Sequence, residues 1–119
     1  MMIDMAREFS PYPSGRVPDD GEFNGQKFRR EYLMPAIVKI LNGDIEDTEI
    51  VIDIDGVRVF GSSFLEEAFG GLVREDEIDS LRAIPLLRIK RTKAGLQMYE
   101  DDIKDHLTTA LEAAKAKPH

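Results

Sequence analysis

Glu49-Ile50-Val51-Ile52-Asp53-Ile54-Asp55-Gly56-Val57-Arg58-Val59-Phe60-Gly61-Ser62-Ser63-Phe64-Leu65-Glu66-Glu67-Ala68-Phe69-Gly70-Gly71-Leu72 decides the fold. From Thr48 to Ile54 the chain is rich in β-branched residues, and Ile50-Val51-Ile52 suits a central strand covered on both faces. Asp55-Gly56 is a strong turn signal. Beyond it Phe64, Leu65, Ala68, Phe69, Leu72 and Val73 recur at helical spacing. A strand that hands over to a helix through two adjacent serines, Ser62 and Ser63, is a β-to-α joint. Gly70-Gly71 weaken that helix by about 1 kcal/mol each relative to Ala, or end it early.

Working outward, Phe28, Leu33, Ile37, Ile40 and Leu41 share one face and predict a helix from about Gly25 to Leu41. Asn24 is its expected N-cap, Asn42-Gly43 its stop, and Pro35 a kink or break within it. Ile3, Met5 and Phe9 alternate with polar neighbours and predict a half-buried first strand over 3–9. Residues 10–24 hold three prolines and two glycines and read as a long irregular loop, of the kind that often forms a binding surface. Residues 75–84 are acidic and then mixed, with room for a short helix. Leu86-Leu87-Arg88-Ile89, entered through Pro85, reads as another strand. Leu96, Tyr99, Ile103, Leu107 and Leu111 place a buried stripe on a final helix from about Gln97 to Lys115. The order is β-α-β-α-β-α, with a further strand open at Val57 to Phe60. Such alternation implies an α/β fold of at most three layers, with a mixed or mainly parallel sheet and right-handed crossovers.

With 119 residues, 42% hydrophobic and 33% charged, the chain has the size and composition of one globular domain, 1–119, ending in a short tail at 116–119. The net charge of −7 and scattered basic residues argue against nucleic acid or anionic membrane as partner. The absence of cysteine excludes thiol catalysis and thiolate metal sites, and the two histidines, His106 and His119, exclude a histidine-rich one. No cofactor is expected. No apolar run approaches signal-peptide or membrane-span length, so a cytoplasmic protein is expected.

Ser63-Phe64-Leu65-Glu66 has the form of a capping box: the Ser63 hydroxyl accepts from the backbone amide three residues on, and Glu66 returns to the Ser63 amide. On this reading Ser63 is the N-cap and Ser62 lies just outside the helix. A hydrophobic strand, a short turn, a serine pair and a helix in a small acidic chain resemble the STAS domain of anti-sigma factor antagonists. Closer still is the resemblance to a bacterial STAS-like domain family of unknown function. It is carried by Gly25-Gln26-Lys27-Phe28-Arg29, Ile52-Asp53-Ile54-Asp55-Gly56-Val57 and Ser62-Ser63-Phe64-Leu65-Glu66-Glu67-Ala68-Phe69-Gly70-Gly71-Leu72, and covers roughly residues 9–112.

The resemblance implies a protein partner, with a histidine-kinase-like ATPase as the expected kind, and phosphorylation of the first serine of the pair, here Ser62. It places the partner-binding face around Gly61, Ser62, Phe64 and Leu65. A helix start favours a phosphate, whose charge of about −1.5 to −2 would disrupt an interface packed there. Gly61 stands where the antagonists carry an acidic residue and Phe64 where they carry glycine. Glu66 and Glu67 in the first turn would repel a phosphate.

Two other chemistries are open. Asp53 and Asp55 match the first motif of haloacid-dehalogenase-type phosphatases, a nucleophile and a general acid, with Asp101-Asp102 as the Mg²⁺ pair. About fifty residues on either side of the motif are too few for that architecture, and a strand end followed by an Asp-Gly turn accounts for it. Arg16, Arg29 and Arg30 are candidates to gather an anion or nucleotide phosphate beside the 10–24 loop. Tyr12 and Phe23 in that loop either anchor a partner or fold back onto the core. The expected function is a non-catalytic regulatory or adaptor domain. A small-ligand or nucleotide-binding module is the alternative and a metal-dependent phosphatase the third.

Overall fold

The computed structural model describes residues 1–117; Pro118 and His119, the end of the expected tail, lie outside the described residues. Strands β1 (Met2–Asp4), β2 (Ile50–Asp53) and β3 (Leu87–Lys90) make one sheet among the described residues, in the order β1-β2-β3. All pairings are parallel, with Ile3 beside Ile52 and Ile52 beside Ile89. Parallel neighbours require crossovers, and here helical segments supply them.

The first crossover is a rod wound in three parts. Helix α1 (Gly25–Phe28) starts at Asn24, whose side chain accepts from the Lys27 amide at 2.9 Å, as expected of an N-cap. Arg29–Leu33 then wind as a π-helix into α2 (Met34–Leu41). Pro35 falls in the first turn of α2, where its missing amide is tolerated, so the π-helical stretch takes the place of a sharp break. Asn42 caps the rod.

The second crossover contains α3 (Ser62–Phe69), a 3-10 stretch at Gly70–Arg74 and the short α4 (Ser80–Ala83). The glycine pair does end α3. After β3, α5 (Gln97–Ala116) buries Ile103, Leu107, Ala110 and Ala114.

Right-handed crossovers in a sheet that steps one way put both crossovers on the same face. Accordingly Ile3, Ile50, Ile52 and Leu87 face a core shared with Phe28, Ile37, Phe64, Phe69 and Ile103. The alternate residues Met2, Arg88 and Lys90 are exposed. The fold thus has two layers, and β2 is covered on one face rather than two.

Two expectations are corrected. The strand expected over 3–9 stops at Asp4, because the Asp4 carboxylate accepts from the Arg7 amide at 3.2 Å and turns Met5–Phe9 into a π-helix. Met5 and Phe9, four apart, are both buried, a spacing that serves a helical turn as well as a strand. Residues 57–60 form no strand; Arg58 and Gly61 donate instead to the carbonyls of Pro11 and Pro13, at 2.8 and 3.0 Å.

Candidate functional site

In a sheet of parallel strands the carboxyl ends share one edge, so the segments that follow β1, β2 and β3 gather there. After β2, the Asp53 side chain accepts from the Asp55 amide at 3.0 Å and closes a tight turn. The Asp55 carboxylate accepts from the amide and hydroxyl of Thr92, both at 2.7 Å, and from the Lys93 amide at 3.2 Å. These bonds, led by the Thr92 amide, hold Asp55 below the usual carboxylate range. Asp55 therefore clamps the end of β2 to the end of β3, and a general acid in that position would have to give up three donors. Asp101 and Asp102 are exposed on α5, and no three His, Cys, Asp or Glu among the described residues form a group able to hold a metal ion.

The clamp delivers the chain to the serine pair. Helix α3 begins two residues earlier than the capping box requires: Gly61 is the N-cap, without a side-chain cap bond, and Ser62 and Ser63 are the first two helical residues. The cap expected of Ser63 and Glu66 is thus absent. Glu66 turns away because two arginines hold it, Arg16 at 2.5 Å and Arg74 at 3.1 Å. Burial pushes the Glu66 carboxyl up, but the bonds from Arg74 and Arg16 outweigh it and keep the group ionised below its ordinary range.

Ser62 is exposed, whereas Phe64 and Leu65 are 0% and 1% exposed. Phe64 stacks at a tilt on Phe28 and Phe60, with centroids 6.0 Å away in each case. Of the expected partner face, only Gly61 and Ser62 reach the surface, and the apolar groups beside them come from elsewhere. The bonds from Arg58 and Gly61 to Pro11 and Pro13 run residues 11–13 alongside 58–61, and Tyr12 and Val59 in these two segments are 59% and 48% exposed. Phe23 folds back instead, edge-on to Phe9 at 5.5 Å. Tyr12 and Val59 were not legible as a pair, since neither segment has a periodic pattern that points outward.

The 10–24 loop is fastened at both flanks of the serine end. Gly15 turns it at φ 88°, a conformation that favours glycine, and the Gly15 and Arg16 carbonyls accept from Gly25 and Gln26 at 2.9 Å each. Ser14 packs on Gly61, and Gly25 lets α1 approach α3 so closely that a Cβ there would lie 2.8 Å from the Phe64 carbonyl oxygen.

Beneath lies an ion network that was read differently in the sequence. Arg29, expected to gather an anion, is 3% exposed and committed to protein groups: Glu67 at 2.6 Å, Glu75 at 2.8 Å and the Glu67 carbonyl. Its guanidinium rests against Gly71, where any side chain would displace it. Arg30, more exposed, reaches Glu75 at 3.2 Å. Burial opposes ionisation of Glu75, and the bonds from Arg29 and Arg30 prevail and lower it. In the sequence Glu75 only opens an acidic stretch, and its partners are too far away along the chain to be seen. Arg30 also lines an open cleft of about 530 Å³ with Pro18, Gly21, Gln26, Lys27 and Glu31, on the far flank of the 10–24 loop.

No helix among the described residues is long and apolar enough to cross a membrane. No curated protein and no solved structure matches the chain. One family pattern does, over residues 24–84, a narrower span than the resemblance noted in the sequence but one that holds the first crossover, β2, the serine pair and the glycine pair. This stretch is just over half of the chain, which therefore belongs to the family described as STAS-like domain of unknown function, DUF4325.

Proposed function

We propose that this domain is a non-catalytic regulator or adaptor that binds a protein partner at the serine end of α3 and is released by phosphorylation of Ser62. The observation that carries the reading is the exposed Ser62 at the start of an uncapped helix, next in sequence to the segment 58–61 that pairs with 11–13, the two exposing Val59 and Tyr12. Aromatic side chains are favoured anchors in interface cores. A phosphate of about −1.5 to −2 charge, placed where a partner covers these groups, adds an ion whose desolvation opposes the complex.

Glu66 and Glu67 fall beyond the first turn of α3 and are less of an obstacle to a phosphate than the sequence implied. Glu66 is bonded to Arg16 and Arg74, and Glu67 to Arg29. Transfer would form a bond from the serine Oγ to the γ-phosphorus of a nucleoside triphosphate supplied by the partner. The bond to the diphosphate would break, releasing the diphosphate and the hydroxyl proton. A histidine-kinase-like ATPase is the partner that the STAS resemblance favours.

The test is to tag the protein in its native host, identify co-purifying proteins and serine phosphates by mass spectrometry, and titrate the purified partner with wild type, Ser62→Asp and Tyr12→Ala. Both variants are expected to bind more weakly, by about fivefold or more for an interface anchor that contributes over 1 kcal/mol. Equal binding by Ser62→Asp would sink the charge switch.

The cleft beside Lys27 and Arg30 supports a second reading, a small-ligand or nucleotide-binding module. A nucleotide titration followed by NMR, with shifts confined to Gln26, Lys27 and Arg30, would favour it.

A further inference from the structure

We infer that the two serines answer to different readers: a phosphate on Ser63 is held by the protein's own Arg16, whereas one on Ser62 is presented to the outside. This rests on the proposed serine switch and concerns how the same site registers the modification.

The basis is helical register. The Arg16 Nη1 lies 2.5 Å from Glu66 Oε1 and 3.8 Å from Glu67 Oε1, so the guanidinium rests over the strip between these two side chains. On a helix, side chains three and four apart are neighbours. Ser63 precedes Glu66 by three residues and Glu67 by four, and so lies one turn back along that strip. Ser62 precedes Glu66 by four and Glu67 by five, and is displaced to one side. The burial agrees, since Ser63 is partly covered and Ser62 exposed.

Arg16 can also leave its present partners without baring a carboxylate. Glu66 retains Arg74 at 3.1 Å, and Glu67 retains Arg29 at 2.6 Å. The Arg16 backbone is fixed meanwhile, its amide donating to Asp20 at 2.9 Å and its carbonyl accepting from Gln26 at 2.9 Å. The side chain thus pivots on an anchored base, and one helical turn, about 5.4 Å, is within the reach of an arginine. A dianionic phosphate offers the guanidinium a paired, charge-assisted contact in place of a single carboxylate oxygen. The modification at Ser63 would then tighten the 10–24 loop onto α3, while the same group at Ser62 acts on the partner.

The experiment installs phosphoserine genetically at position 62 or 63 of the full chain and follows the second phosphate ionisation by ³¹P NMR. The Ser63 phosphate is expected to titrate about half a unit or more below the Ser62 phosphate, as an adjacent cation favours the dianion. Arg16→Gln should erase the difference. In the unsubstituted chain the Arg16 Nε resonance should move with the titration at 63 and stay still with that at 62, a readout independent of the variant. Matching titrations, or a gap that survives Arg16→Gln, would overturn the inference. No partner enters this measurement, so its failure stands apart from failure of the switch itself, which is read from the native phosphate and partner titration.

Discussion

The two ends of the charged network beside α3 use the same residue types to opposite effect. At the base, Arg29 is buried between Glu67 and Glu75, and all three come from different segments: the first crossover, α3 and the turn after it. At the top, Arg16 is 44% exposed and shares Glu66 with Arg74. Breaking a buried pair leaves an uncompensated charge in the interior, while an exposed pair is loosened by water and salt. The base fixes where α3 sits. The top, with the serines and the loop, has charges that can be exchanged at little cost.

The largest effects should follow from attacking the base. Arg29→Ala is expected to destabilise by up to about 3–5 kcal/mol, because it takes from Glu67 and Glu75 their buried partner and leaves them only the more exposed Arg74 at 3.6 Å and Arg30 at 3.2 Å. Phe64→Ala should cost about 3–5 kcal/mol as a large-to-small core change. Both are read by urea denaturation; a change within about 0.5 kcal/mol for Arg29→Ala, the range of ordinary surface substitutions, would mean that the base is no foundation, and one for Phe64→Ala that the core beneath the serine end is not packed as described.

Next in size is Gly25→Ala, which forces a methyl against the Phe64 carbonyl and the Ala68 amide and should cost about 1–3 kcal/mol by overpacking. A neutral result would show that α1 and α3 are not locked together.

A gentler probe is pH. Glu66 and Glu75 have folded ionisations below their ordinary value of 4.5. Their contribution is therefore present above that value and is lost as pH falls through the lowered one. Thermal melts should be level from neutral pH down to about 5 and then decline, and Arg74→Gln should flatten the part of the decline that Glu66 contributes. A decline that begins near neutrality would assign the acid response to other groups.

The smallest effect belongs to the top. Ser63→Ala should change stability by less than about 0.5 kcal/mol, the surface range, rather than the roughly 0.5–2 kcal/mol of a lost N-cap. A loss of cap size would restore the Ser63 capping box and weaken the contrast between the ends.

What the sequence disclosed follows the same division. Helical apolar spacing identified the first crossover and α5, since burial on one face writes itself into local spacing, whereas β2 and β3 stood out as short apolar runs. The first strand was overextended because Met5 and Phe9 satisfy both periods and the deciding bond, Asp4 to Arg7, is a local side-chain turn. The start of α3 was misplaced by two residues. Ser63 and Glu66 carry the capping signature, but Arg16, distant in the chain, competes for the glutamate. Glu75 and Arg29 gave no sign of each other, as ion pairs between distant segments leave no spacing to read. The serine pair itself was found through its position between strand and helix, and its apolar neighbours Tyr12 and Val59 only through the backbone bonds that align them.

The one-way parallel order of the sheet also governs how the chain reaches this structure. No hairpin joins any of these strands: β2 contacts both others, and each contact closes only after a complete crossover lies between them. Contacts so remote in sequence are expected to slow folding, because loop-closure entropy is met before the contact rewards it. The middle strand is then the assembly step on which both crossovers converge. Until Ile50 and Ile52 are in place, the helices that carry the serines have no floor on which to align.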